Sequence, residues 1–288
     1  MTIDPGFLDE LDRFQATLDR ESSALRQGEQ ESPRIGEGLT FSDYRRYSPG
    51  DDTRLIDWKL FARTEEYYIK QYEEERNLTV HILLDASASM DYGDEGIHKF
   101  EYGAKIGLGF AYLTAEENND FVFGTFRDRP ERLDAGRSNR GEILDLVDQL
   151  NETTPEGAGD IEESLAAYTG RIRTKSLVVV VSDCLYDPEA VESGVAALAR
   201  TDSDILVVRP IAPGERDPDV VGDALFVDPE TEDTRRSYFS GSLAQSYQSR
   251  LDAHVDDVSD RVTGLGEDHV TVDTGQEYFD SFAAVWLG

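Results

Sequence analysis

Residues 80–90, V-H-I-L-L-D-A-S-A-S-M, decide the fold. Val80, Ile82, Leu83 and Leu84 form a short apolar run rich in strand formers, which fits a strand buried on both faces of a parallel sheet. The run stops at Asp85, and Ser87 and Ser89 follow at alternate positions. In an open α/β sheet, ligands sit just beyond the carboxyl ends of the strands. One carboxylate and two hydroxyls therefore leave this strand where a ligand belongs. All three are hard oxygen donors, suited to Mg²⁺ and unsuited to zinc or copper. Asp-x-Ser-x-Ser is short, and serines that merely cap the next helix are the competing reading. A second apolar run, S-L-V-V-V-V-S-D-C at residues 176–184, also ends in an acid, Asp183.

Outward from these two runs, apolar periodicity alternates between strand and helix. Helices are expected over residues 98–117, 140–150, 161–171, 188–200, 242–262 and 278–287, with Asp160 as the N-cap of the third. Further strands are expected at 120–126, 204–210, 225–228 and 269–272. Gly103, Gly107 and Gly109 on the first helix would let it approach the sheet. The alternation predicts an α/β fold with a doubly wound, mostly parallel sheet.

The part before residue 78 reads differently. Phe7, Leu8, Leu11, Phe14, Leu18 and Leu25 line one face of an amphipathic helix over 5–27, expected to pack on the main body. Residues 28–38 carry Gly, Pro and Ser and read as a linker. Residues 36–64 mix Arg45, Arg46, Arg54 and Arg63 with Asp51, Asp52 and Asp57, interleaved with Tyr44, Tyr47, Trp58 and Phe61. At that density guanidiniums and carboxylates form paired networks. The segment is either a clasp pinned by Trp58 or a docking surface. Residues 67–73 alternate as a strand that could pair with the central strand as a hairpin. The expected organisation is 1–35 helix and linker, 36–77 Arg/Asp-rich segment and strand, and 78–288 main domain.

Composition bounds the function. The chain has 288 residues, 39% hydrophobic and 10% aromatic, enough for a large core. Its formal net charge is −32, with 60 acidic against 28 basic residues, so nucleic acid is a poor partner. Lys59, Lys70, Lys99, Lys105 and Lys175 are the only lysines. Acids spread along the whole chain with so few lysines resemble halophile proteins, whose charge is screened in concentrated salt. No long uncharged apolar window marks a membrane span, and the first residues lack the pattern of a signal peptide. A cytoplasmic location is the expectation. The single Cys184 excludes an internal disulfide and a cysteine zinc cage.

Enzyme motifs are missing. There is no G-x-x-x-x-G-K-[ST], no G-x-G-x-x-G after the first strand, and no G-x-S-x-G. The four histidines, His81, His98, His254 and His269, have no catalytic spacing. A phosphohydrolase with Asp85 as nucleophile is the enzymatic alternative, although the position two residues on is Ser87 where such families place a second acid.

D-A-S-A-S-M after a buried strand, with V-V-V-S-D later, resembles the von Willebrand factor A fold and its metal-ion-dependent adhesion site. Upstream, R-R-Y-S-P-G-D-D-T-R-L-I-D-W-K-L-F-A-R-T resembles, more specifically, the domain-of-unknown-function family numbered fifty-eight. The matching positions include Arg46, Tyr47, Asp51, Arg54, Asp57, Trp58 and Arg63. The resemblance implies a von Willebrand factor A-like, Rossmann-like domain with an N-terminal extension. It also implies an Mg²⁺ site (or another divalent cation such as Mn²⁺) held by Asp85, Ser87, Ser89 and Asp183. A second loop should add a Thr, but this chain has Gly157-Ala158-Gly159-Asp160, with Gly159 at the Thr position. Asp160 could substitute, or Thr153 or Thr154 could reach in, or water could fill the place. The implied role is not enzymatic. It is a metal-gated protein-interaction module that captures a partner's carboxylate, working with a MoxR-type AAA+ ATPase in assembly or maturation of other proteins. A scaffold with a degenerate, empty site is the remaining alternative.

Overall fold

The structure is a computed structural model that describes residues 2–26, 39–46, 66–74, 78–94, 96–218, 222–227, 230 and 233–287. The chain forms two compact units, Met1–Leu18 with Leu78–Gly288, and Asp19–Asn77. Helix α1 (Phe7–Arg26) runs across the division. The smaller unit contains an antiparallel pair, β1 (Leu39–Arg46) and β2 (Tyr68–Glu74).

The larger unit is built on a six-stranded sheet. Its strands are β3 (Thr79–Asp85), β4 (Asp120–Phe126), β5 (Pro130–Arg132), β6 (Ser176–Val181), β7 (Ser203–Ile211) and β10 (Asp268–Asp273), in spatial order β10-β7-β6-β3-β4-β5. All neighbours pair in parallel except β4 with β5. The parallel strands bury both faces, as an uninterrupted apolar run requires. Val80, Ile82, Leu83 and Leu84 are all buried, as are Val178 to Val181. Each such side chain contributes roughly 1.5–3 kcal/mol by leaving water.

Helices cover the two faces. α2 (Lys99–Glu116), α3 (Arg140–Glu152) and α8 (Tyr278–Leu287) share one apolar cluster with the start of α1. α4 (Ile161–Tyr168), α5 (Pro188–Ala199) and α7 (Gly241–Gly264) share the other. The short helix α6 (Pro213–Arg216) and a hairpin of β8 (Gly222–Val227) with β9 (Thr234–Phe239) are inserted between β7 and α7. The fold is therefore α/β with a doubly wound, mostly parallel sheet, as the sequence predicts. In α1, Phe7, Leu8 and Leu11 are buried, and Phe14 packs on Phe282 with ring centroids 5.5 Å apart. Among the described residues no helix is long and apolar enough to cross a membrane.

The structure corrects several expectations. β2 pairs with β1 and not with β3. Both sides of β3 are already occupied, by β4 and β6, so no edge is open to a hairpin partner. β1 lies within the Arg/Asp-rich segment, where no strand was expected. Arg46 ends it, exposed, with both oxygens of Glu66 2.7 Å from its Nη2. Tyr47, Asp51, Arg54, Asp57, Trp58 and Arg63 lie outside the described residues. β9 was missed because T-R-R-S-Y-F is mostly polar. Gly103 and Gly107 do meet the sheet. A Cβ on Gly107 would stand 2.8 Å from Phe123 and 2.9 Å from Ile82. Gly109 instead faces Phe282 and Tyr278 of α8.

One core contact carries a pH signature. His81 is buried in β3 with Nδ1 2.8 Å from the Tyr168 hydroxyl, and burial pushes its pKa down to about 4. The unfolded chain takes up that proton near pH 6.5. Between roughly pH 6.5 and 4 the unfolded state thus binds more protons, and stability falls as pH drops through that window. Urea unfolding at a series of pH values should show a shallower loss across it for His81→Gln than for the parent chain.

Candidate functional site

The topology itself creates the site. From β3 the chain crosses by α2, on one face, to β4 on one side. From β6 it crosses by α5, on the other face, to β7 on the opposite side. β3 and β6 are adjacent, with Leu84 opposite Val181. Their carboxyl ends flank a topological switch point, where open α/β sheets bind ligands. Asp85 is the last residue of β3, and Asp183 follows β6 by two residues. The two acidic strand ends predicted from sequence therefore lie side by side.

Asp85 is fully buried and both of its oxygens are engaged. Oδ1 accepts the Ser87 amide at 2.8 Å. Oδ2 accepts the hydroxyls of Ser182 at 2.7 Å and Tyr186 at 2.9 Å. Burial, then the like charge of Asp183, hold its pKa above the usual carboxylate range. Ser87 Oγ lies 3.0 Å from Ser89 Oγ, and Ser89 donates to Asp183 Oδ1 at 3.3 Å. The first turn after β3 is a 3-10 turn, Ala88–Met90, which swings Ser89 back toward Asp183.

A buried cation stands behind Asp183. Lys99, the first residue of α2, donates from Nζ to Asp183 Oδ2 at 2.7 Å and to Glu215 Oε1 of α6 at 2.6 Å. The Lys99 side chain is 0% exposed, Asp183 1% and Glu215 14%. An unpaired ammonium could not remain charged there. Burial pushes the Lys99 pKa down, but Asp183 and Glu215 outweigh it and raise it overall. Arg209 Nε also donates to the Asp183 carbonyl at 2.8 Å, fixing the loop backbone. Cys184 is fully buried at φ 53, and burial pushes its thiol up to about 12, so it is not a reactive thiol.

The second loop departs from expectation. Its backbone does reach the first loop: Ala88 donates to the Gly157 carbonyl at 2.9 Å, and Glu156 to that of Ala86 at 3.1 Å. Asp160, proposed from sequence as a metal ligand, is exposed and accepts the Glu163 amide at 2.9 Å. It is the N-cap of α4, because the first turn of a helix leaves amides that a carboxylate satisfies well. Thr153 donates to the Gln149 carbonyl and closes α3. Neither joins the four. Tyr186 does, together with Ser182, Lys99 and Glu215. Sequence reasoning passed over Tyr186 and Lys99, although Tyr186 lies three positions after Asp183 and lysine is scarce in this chain. Glu215 carries no sequence signal.

The donor set fits a small hard dication. Metal–oxygen bonds of about 2.0–2.1 Å in an octahedron put neighbouring donors roughly 3 Å apart. The spacings Ser87 Oγ–Ser89 Oγ, 3.0 Å, and Ser89 Oγ–Asp183 Oδ1, 3.3 Å, are close to that edge. Lys99 and Glu215 offset one another, which leaves the charges of Asp85 and Asp183 for a dication. Among the described residues no three or more His, Cys, Asp or Glu side chains cluster as a metal site. Half of the donors here are serine hydroxyls.

Residues 43–255 match the family described as Protein of unknown function DUF58. Uncharacterized proteins of Mycobacterium tuberculosis and Mycobacterium bovis are 23% identical over 280 residues, covering 96% of this chain and 87% of theirs. Two solved structures are similar at TM-score 0.46. The conserved hypothetical protein BatB from Bacteroides thetaiotaomicron has 15% identity, covering 73% of this chain and 96% of that one. An aerotolerance-related membrane protein from Bacteroides fragilis has 13% identity, covering 73% and 97%.

The lysine arrangement is testable by stability. Lys99→Met removes the only positive charge paired with the Asp183 carboxylate among the described residues. Breaking a buried pair by removing one partner costs about 3–5 kcal/mol. Chemical denaturation should show a loss of that order, and a smaller one for Glu215→Gln, whose partner keeps Asp183.

Proposed function

The chain belongs to the DUF58 family, and on that premise we propose that it is a metal-dependent protein–protein interaction module. Asp85, Ser87, Ser89 and Asp183 would hold the cation, Mg²⁺ or Mn²⁺. Bound there, the cation supplies a positive centre with a coordination position left open for a partner's carboxylate. The observation that carries the reading is the run of oxygens Ser87–Ser89–Asp183 at octahedral-edge spacing in the switch-point crevice.

The surrounding residues each have a part in that reading. Ser182 and Tyr186 orient Asp85, and the Ser87 amide fixes its other oxygen. Lys99 turns Asp183 so that Oδ1 faces Ser89. The partner is a protein, and the resemblance drawn from the sequence favours a MoxR-type AAA+ ATPase or its client. The module works in the cytoplasm in this reading. Its acidic, lysine-poor surface supports a high-salt habitat, so binding belongs in concentrated salt.

A phosphohydrolase with Asp85 as nucleophile is disfavoured because a phosphate ester needs more room at that carboxylate than a small ion does. A nucleophile must reach its phosphorus atom within about 3–3.5 Å. Asp85 is 0% exposed, with an amide on one oxygen and two hydroxyls on the other.

Calorimetric titration of Mg²⁺ and Mn²⁺ into the full chain in concentrated salt tests the module directly. The parent chain should bind with unit stoichiometry, and Asp183→Asn and Ser89→Ala should each weaken binding at least about tenfold. Metal-dependent capture of the ATPase, lost in Asp85→Asn, is the corresponding partner result. A silent titration of the parent chain would leave only the degenerate scaffold. Turnover of a generic phosphate ester, abolished in Asp85→Asn, would favour the enzyme.

A further inference from the structure

Gly159 is not a glycine for conformational reasons. Its φ lies outside the left-handed region, in contrast to Gly157 two positions earlier at φ 70. Contact explains it. A Cβ built on Gly159 would overlap Tyr186 Oη and stand 2.9 Å from Tyr186 Cζ and 3.1 Å from Ser87 Cβ. Contacts below about 3 Å are not tolerated in a packed interior. A side chain at 159 and the Tyr186 hydroxyl therefore exclude one another. That hydroxyl is also 2.9 Å from Asp85 Oδ2, inside the site.

From this we infer that Tyr186 completes the cation site as a positioning residue. Its hydroxyl fills the corner toward which a side chain at 159 would point, and by donating to Oδ2 it fixes the orientation of the Asp85 carboxylate. The inference rests on the metal reading above. Three features argue for it. The phenol comes from the same loop as Asp183, so that loop alone fixes one acid and contributes the other. Ser182 and Tyr186 meet on a single oxygen of Asp85, and two donors there remove the rotation that one would allow. Two side chains that the sequence offered for this corner are engaged elsewhere, Asp160 on the cap of α4 and Thr153 on the end of α3.

The test is Mn²⁺ affinity of the full chain, by calorimetry and by the electron paramagnetic resonance of free Mn²⁺, beside the melting temperature of the metal-free protein. Tyr186→Phe deletes one oxygen. It should weaken Mn²⁺ about 10–100-fold, the usual effect of losing a group that orients a ligand, while the metal-free protein still melts cooperatively. Gly159→Ala drives a methyl into the same oxygen and should also weaken Mn²⁺. In a Tyr186→Ala background the same Gly159→Ala change should cost nothing, the coupling expected of residues in contact. Parent-like Mn²⁺ affinity in Tyr186→Phe overturns the inference, as does an equal cost of Gly159→Ala in both backgrounds. Either result beside a parent chain that binds Mn²⁺ removes the role of Tyr186 and leaves the metal reading standing. A parent chain that takes up no Mn²⁺ removes both.

Discussion

Two carboxylates, Asp85 and Asp183, are buried beside one another at the ends of adjacent strands, and their mutual repulsion is the constraint that the rest of the site answers. Burial and like charge both act against ionisation. Each acid is offset differently. Asp183 has a full ammonium from Lys99, a hydroxyl from Ser89 and the amide of Leu185. Among the described residues Asp85 has no cation in contact, only the Ser87 amide and two hydroxyls. Neutral donors are weaker than ionised ones, so Asp85 is the less completely compensated acid; burial, then the charge of Asp183, hold its pKa up. The hydroxyls of Ser87 and Ser89 lead from there to Asp183, and in the proposed reading a dication would offset what the protein leaves over.

The fold makes that arrangement rigid. Both acids grow from strands packed on each face, so their backbones cannot retreat. Lys99 opens α2 and Glu215 sits in α6, so the ammonium ties two separate helices to the loop after β6. Gly103 and Gly107 matter at this distance too. Without a Cβ there, α2 lies close enough to Val181, Leu84 and Ile82 for Lys99 to reach Asp183 through the core and not around it.

What was legible in the sequence follows the same division. The two strand ends were readable because an apolar run that stops at an acid has a positional meaning in a parallel sheet. Asp160 was readable as a cap and misread as a ligand. Both readings start from a carboxylate before a helix, and only the Glu163 amide at 2.9 Å separates them. Tyr186 and Lys99 were not readable as site residues, because their roles depend on side chains that fold back across the loop or through the core. Gly159 looked like a lost ligand. The structure turns that absence into a contact, since the glycine leaves room for a hydroxyl arriving from another loop. The pairing of β2 with β1 was illegible because strand partners are chosen by which edges remain open, and the two neighbours of β3 come from residues 120–126 and 176–181.

The surface charge bears on the same chemistry. A chain of net charge −32 repels an acidic partner at long range, while the proposed capture needs a partner carboxylate at contact. In dilute salt the two demands conflict, because at 0.01 M the Debye length is about 30 Å and the whole surface acts on the approaching acid. At 1 M it is about 3 Å, and only charges at the site itself still count. There, in the proposed reading, a dication held by Asp85 and Asp183 would meet the incoming carboxylate while the distant surface acids are screened. Concentrated salt and carboxylate capture are thus two parts of one reading, and the acidic surface that would forbid such a module in fresh water is compatible with it in brine.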